Sequence, residues 1–282
     1  MARFARVPSV HLQQYLTGTS QERADFIDVF GSGLKEFGFV IVEGTLIDPT
    51  LIRNAYAKVA ELFALPLEAK QKLSSPTSGG QRGYTGFGKE HAKNSKIGDL
   101  KEFWHVGRET YQGNQKLYAD NIWADTEVKD FKLTLHELYQ KLDDLAAHLL
   151  AATSVYLGLD SQDLPSMARD GNSILRCIHY PALSQEHAKS GAVRAAAHED
   201  INLITILCEA TTSGLELLTR QGKWLSVESG PGQMVVDSGD MLSRVCNNQI
   251  PSTTHRVINP PGVSNEPRFS MPFFVQIGRA HV

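Results

Sequence analysis

Ala196-Ala197-His198-Glu199-Asp200-Ile201-Asn202-Leu203 lies in the half of this chain where short apolar runs replace helical spacing. In an extended strand, side chains alternate between two faces. His198 and Asp200 then point one way and Glu199 the other. An imidazole beside a carboxylate on a rigid strand makes two corners of a metal site. Position 202 is Asn202, so the second histidine of an H-E-x-x-H zinc-protease pattern is missing.

Further along, Ser252-Thr253-Thr254-His255-Arg256-Val257-Ile258 places His255 at the start of another strand. It is the leading candidate for a third corner. Two histidines and one carboxylate on one face of an octahedral ion leave the opposite face open. That arrangement suits iron(II), with room for a co-substrate and O₂. Next comes Pro267-Arg268-Phe269-Ser270, in which alternation puts Arg268 and Ser270 on one face. A guanidinium beside a hydroxyl is suited to clamping a carboxylate through two parallel charge-assisted bonds.

Around these motifs run short apolar stretches bounded by Gly, Pro, Asn and Ser: 174–180, 201–208, 215–218, 224–227, 233–236, 254–258 and 269–275. This pattern predicts a β-sandwich or barrel. The first half reads as helical. Thr19 and Glu22 have capping-box spacing, Phe26, Phe30, Leu34 and Phe37 follow at helical intervals, and Gly38 ends the helix. Residues 39–42 read as a buried strand. Asp48-Pro49 starts a second helix, and a third is expected over about 126–157. Gly31-Ser32-Gly33 falls mid-helix and lacks the third glycine of a dinucleotide loop, so packing is its expected role. The fold class is therefore mainly β with a helical N-terminal part, without a linker between the halves.

Residues 74–121 are rich in glycine and aromatics and read as a long irregular segment, the kind that often lines a site. Tyr84, Phe87, Phe103, Trp104 and His105 are its candidate pocket walls. Arg176 and Arg244 lie on or beside predicted strands and are candidates for meeting a polar substrate. His179 is expected to face away from Tyr180 in a structural role.

Composition narrows the function classes. Net charge is -3, so a basic nucleic-acid footprint is not expected. No apolar run is long enough to suggest a membrane span. Cys177, Cys208 and Cys246 are far apart and odd in number, which argues against a disulfide framework and for a reducing compartment, the cytoplasm. A small-molecule substrate and a monomer or weak homo-oligomer are expected.

Taken together, the chain resembles the isopenicillin N synthase-like iron(II)/2-oxoglutarate-dependent oxygenases. The resemblance is carried by Phe37-Gly38-Phe39, Gln81-Arg82-Gly83-Tyr84, Lys101-Glu102-Phe103-Trp104, Asn172–Pro181, His198-Glu199-Asp200, Gly239-Asp240, Ser252–Asn259 and Arg268–Phe274. It implies a double-stranded β-helix (jelly-roll) core over 126–276, preceded by an N-terminal region over 1–125. It implies Fe(II) on His198, Asp200 and His255. It also implies that Arg268 and Ser270, helped by Tyr180, hold the distal carboxylate of 2-oxoglutarate. Ile178 stands where plant relatives carry an asparagine. The implied reaction consumes 2-oxoglutarate and O₂, oxidises a small molecule, most commonly by hydroxylation, and releases succinate and CO₂. An isopenicillin N synthase-like or ethylene-forming oxidase would use the same iron site with a different carboxylate on Arg268. A jelly roll with a degenerate site is a third possibility, against which the intact triad argues. Residues 277–282 read as a non-native tail, so His281 is not counted as a ligand.

Overall fold

The fold was obtained as a computed structural model, which describes residues 3–75, 78–88, 101–109, 118–182, 194–209, 214–258 and 266–278. The outer part of the expected tail, 279–282, and Gly98 and Gly113 of the glycine-rich segment lie outside these residues.

The strands are β1 (Ser9–His11), β2 (Phe39–Glu43), β3 (Gly83–Thr85), β4 (Glu102–Gly107), β5 (Ile174–Tyr180), β6 (Ala195–His198), β7 (Ile204–Leu207), β8 (Leu215–Leu218), β9 (Trp224–Ser226), β10 (Met234–Ser238), β11 (His255–Val257), β12 (Arg268–Ser270) and β13 (Pro272–Val275). The helices used below are α1 (Leu12–Leu16), α2 (Ser20–Phe37), α3 (Pro49–Phe63), α4 (Leu67–Lys72) and α5 (Phe131–Tyr156). The major sheet runs β1-β2-β10-β7-β13-β5-β4-β3, with β12 also paired to β5. The minor sheet runs β6-β11-β8-β9. Both sheets are open rather than a closed barrel.

Local chemistry sets the helix ends. Thr19 and Glu22 form the reciprocal capping box at the start of α2, and Gly38 ends it with φ 71°, a conformation that glycine adopts without a Cβ clash. Helix α3 starts on Asp48, whose carboxylate accepts the Thr50 amide at 2.7 Å. The third helix begins at Phe131 rather than near 126. Asp130 there adopts φ 59°, and Asp125 turns back to accept the Lys132 amide at 3.2 Å. Gly31 does serve packing: a Cβ there would lie 2.0 Å from the Tyr156 ring.

Strands β3 and β4 lie inside the segment read as irregular. Every residue of β4 is buried, so the alternation that marks a half-exposed strand is absent. Two other expectations also change. The run 201–208 is a strand only from Ile204, and 269–275 is broken at Met271 into β12 and β13. Ile277, placed in the expected tail, packs against the core.

One face of the major sheet packs on α2, α3 and α5 through Phe30, Leu34, Val59, Trp104, Leu142, Leu175 and Ile206. The opposite face meets the minor sheet through Phe39, Ile41, Val235, Leu217 and Val257. The functional groups collect on this inner face. The helix side also holds a buried polar cluster. Lys70 Nζ donates to Glu102 Oε2 at 2.8 Å, the Tyr84 hydroxyl donates to the same oxygen at 2.6 Å, and His179 Nδ1 lies 2.8 Å from Oε1. Burial would raise the pKa of Glu102, but the bonds from His179, Lys70 and Tyr84 outweigh it and hold the carboxylate below its ordinary range. Because the folded pKa is depressed, this stabilisation is present above the ordinary carboxylate range and is lost as pH falls through the folded value. Glu102→Ala strands the Lys70 ammonium in the interior and should cost about 3–5 kcal/mol, read as a lowered midpoint in urea denaturation. An unchanged midpoint would contradict the cluster's role.

Candidate metal centre

His198 ends β6 and His255 begins β11. The two residues are register partners across the minor sheet, and their ring centroids are 4.4 Å apart. The register shifts beside this pair: Val257 opposes Ala195, so β6 carries one residue more than β11 between the two rungs. This bulge turns both Ala195 and His198 inward, which strict alternation forbids. Phe39 meets the His255 ring edge-on at 5.5 Å.

Asp200 reaches the site by a different route from the one expected. It lies beyond the end of β6, in the turn before β7. The Thr205 hydroxyl donates to Asp200 Oδ2, and the Asn202 amide donates to Thr205 Oγ1 at 2.9 Å. The backbone amide of Asp240 donates to the Asp200 carbonyl at 2.8 Å. Gly239 is required by this approach, because a Cβ there would lie 2.3 Å from the Asn202 carbonyl oxygen and 2.8 Å from that of Asp200. Asp200 Oδ1 is thereby left 3.7 Å from His198 Nε2.

Both imidazoles are oriented by backbone. His198 Nδ1 lies 2.7 Å from the Ala196 carbonyl and His255 Nδ1 3.1 Å from that of Thr253. A carbonyl accepts only from N–H, so Nδ1 carries the proton and Nε2 presents its lone pair. Burial lowers the His255 pKa, against the opposing charge of Asp200, so the ring stays neutral and able to ligate. Burial and the charge of Asp200 push the neighbouring Asp237 carboxyl well above its ordinary range. The ligand atoms of His198, Asp200 and His255 all lie within 4.8 Å of one another. Two imidazole nitrogens and one carboxylate oxygen on one side of a shared point fit a ferrous ion with an open opposite face.

On the adjoining inner face, Arg268 opposes Tyr180 and Ser270 opposes Ile178 in the β12–β5 register. Arg268 is 1% exposed, and its guanidinium carbon lies 5.5 Å from the Tyr180 ring centroid. Burial lowers its pKa. A second guanidinium sits nearby. Arg194 is buried, its Nη2 donates to the Glu266 carbonyl at 2.9 Å, and burial together with the charge of Arg268 lowers its pKa. Arg194 was missed in the sequence because a loop-to-strand junction has no periodicity. Thr205 and Asn202 were missed because their role depends on a turn that reads as strand.

The pocket-wall candidates divide by face. Phe103 and His105 oppose Ile178 and Arg176 in the β4–β5 register and share the inner face with them. Tyr84 and Trp104 do not reach it. They are paired with each other on the helix side, where Tyr84 bonds Glu102 and Trp104 meets Phe131 edge-on at 5.2 Å. Arg244 is exposed on the short helix Asp240–Val245 and does not face the site, and Phe87 is likewise exposed. His179 faces the helix side, stacked on Phe269 at 4.9 Å.

Residues 7–126 match the family described as non-haem dioxygenase in morphine synthesis N-terminal, and residues 171–277 match the 2OG-Fe(II) oxygenase superfamily. A 2OG-Fe(II) oxygenase family protein of Caulobacter crescentus shares 38% identity and a TM-score of 0.85, over 97% of this chain and 87% of that one. A full-length Neurospora crassa protein, solved in complex with alpha-KG, shares 29% identity and a TM-score of 0.87, over 96% of this chain and 85% of its own. The proline hydroxylase buaE of Petromyces alliaceus is 29% identical over 88% of this chain and 80% of its own.

Proposed function

This chain belongs to the 2OG-Fe(II) oxygenase superfamily, and on that premise we propose that it seats ferrous iron on His198, Asp200 and His255 and hydroxylates a small molecule. The observation that carries this reading is the convergence of three ligand atoms within 4.8 Å, with both histidine Nδ1 atoms occupied by backbone. In this reading Arg268 and Ser270, beside Tyr180, take the distal carboxylate of 2-oxoglutarate, supported by their shared inner face and the burial of Arg268, and Arg194 adds a second positive charge. Phe103 and Arg176 line the substrate side.

When bound, iron and 2-oxoglutarate together supply the oxidising power, with O₂ consumed and succinate and CO₂ released. The chain's own residues bind, orient and exclude water. Thr205, held in turn by Asn202, fixes Asp200 Oδ2, so that Oδ1 is the oxygen that would hold the ion. Phe39 closes one side of His255, and Phe103 packs with Ile178 and Tyr180 into an apolar patch beside Arg268. The buried free thiols Cys177, Cys208 and Cys246 support a reducing, cytoplasmic setting.

An anaerobic iron(II) titration tests the reading. With 2-oxoglutarate present, a metal-to-ligand charge-transfer band in the visible region is expected, and admitting O₂ with a substrate should release succinate. Iron binding with no spectral response to 2-oxoglutarate would favour an oxidase that uses Arg268 for a substrate carboxylate.

A further inference from the structure

We propose that Asp237 is a positioning residue for the candidate iron ligand Asp200, acting through the Thr205 hydroxyl. The inference rests on the oxygenase reading above and concerns the same site.

Asp237 lies on β10, between β2 and β7 in the major sheet. It opposes Phe39 of β2 on one side and Thr205 of β7 on the other. Directly opposed residues of antiparallel strands share a face, so Phe39, Asp237 and Thr205 form one row on the inner face. Each end of the row meets a different candidate ligand. Phe39 lies edge-on to the His255 ring at 5.5 Å, and the Thr205 hydroxyl donates to Asp200 Oδ2. Asp237 stands between these two supports and is 5% exposed.

A hydroxyl donates one hydrogen bond and accepts two. Thr205 donates to Asp200, and Asn202 Nδ2 donates to Thr205 Oγ1 at 2.9 Å. The Asp237 carboxyl is the third group bonded to this hydroxyl. With all three positions taken, the hydroxyl is held from turning away from Asp200. The other side of the carboxyl gains nothing: Asp237 Oδ1 has no hydrogen-bond partner among the described residues. A buried polar atom without a partner costs stability, so packing alone would favour an apolar side chain at position 237. The bond to Thr205, rather than the stability of the sheet, accounts for a carboxyl there.

The test is an anaerobic iron(II) titration of the full chain against a competing chelator. The wild type and His255→Ala, titrated first, judge the oxygenase reading separately. Asp237→Leu keeps the branched shape without the oxygens. It should weaken iron about tenfold, the lower end of what losing a group that orients a metal ligand costs. Its melting temperature should not fall, because the substitution also removes the unpartnered oxygen. Asp237→Ala should weaken iron to a similar extent. Asp237→Asn, whose amide can meet the Thr205 oxygen in place of the carboxyl, should stay within about threefold of the wild type. Thr205→Val removes the hydroxyl, and in that background Asp237→Leu should cause no further loss of iron affinity. Unchanged iron affinity in a folded Asp237→Leu or Asp237→Ala, an Asp237→Asn as weak as Asp237→Leu, or an additive loss in the double variant would overturn the proposal.

Discussion

His255→Ala should leave a folded chain that no longer binds iron. His255 supplies one of three candidate ligands, and its imidazole sits at the edge of the apolar contact between the sheets rather than at its centre. Removing it leaves His198 and Asp200, two donors on adjoining segments. Loss of an outer-shell partner alone weakens metal by roughly 10–100-fold, so loss of a ligand should exceed about 100-fold and abolish turnover. His198→Ala should do the same. His198 is much more exposed than His255, with 46% of its side chain accessible, so its removal is the cleaner test of ligation against folding. Iron content by elemental analysis, with circular dichroism as the fold control, reads both effects. Full iron stoichiometry in either variant would exclude that residue as a ligand.

Arg268→Gln should separate the co-substrate from the metal. Arg268 is almost wholly buried against Tyr180, where a carboxylate partner would be shielded from water. Truncating one member of such a pair costs about 2–5 kcal/mol, roughly thirtyfold to several-thousandfold in affinity. The expected result is a KM for 2-oxoglutarate raised by that range, with iron affinity unchanged. Arg268→Lys should fall between the two, because an ammonium restores the charge without the fork. If the 2-oxoglutarate requirement is unaltered while substrate KM rises, Arg268 holds the substrate instead.

The position of His198 and Asp200 was legible in the sequence, but the reason for it was not. Alternation along one strand puts them on a common face. In the structure, a bulge in β6 aims His198 and a turn braced by Thr205 aims Asp200. A bulge changes register against a partner strand, so no pattern within one segment reveals it. The helix caps at Thr19, Gly38 and Asp48 were legible because each is a local hydrogen-bonding device. Strand β4 was not, since burial on both faces removes the period that identifies a strand. The same burial separates Phe103 and His105 from Trp104. Adjacent aromatics in the sequence face opposite sides of the sheet, and only the pairing with β5 tells which side is inner. Arg244 lies between the expected strands 233–236 and 254–258, and the short helix Asp240–Val245 that forms there leaves it at the surface.

Anomalous diffraction at the iron edge, from crystals grown anaerobically with iron(II) and 2-oxoglutarate, tests the central claim most directly. A single peak bonded to His198 Nε2, to Asp200 Oδ1 and to a ring nitrogen of His255 is the predicted result. A peak elsewhere, or one that His255 does not touch, would contradict it.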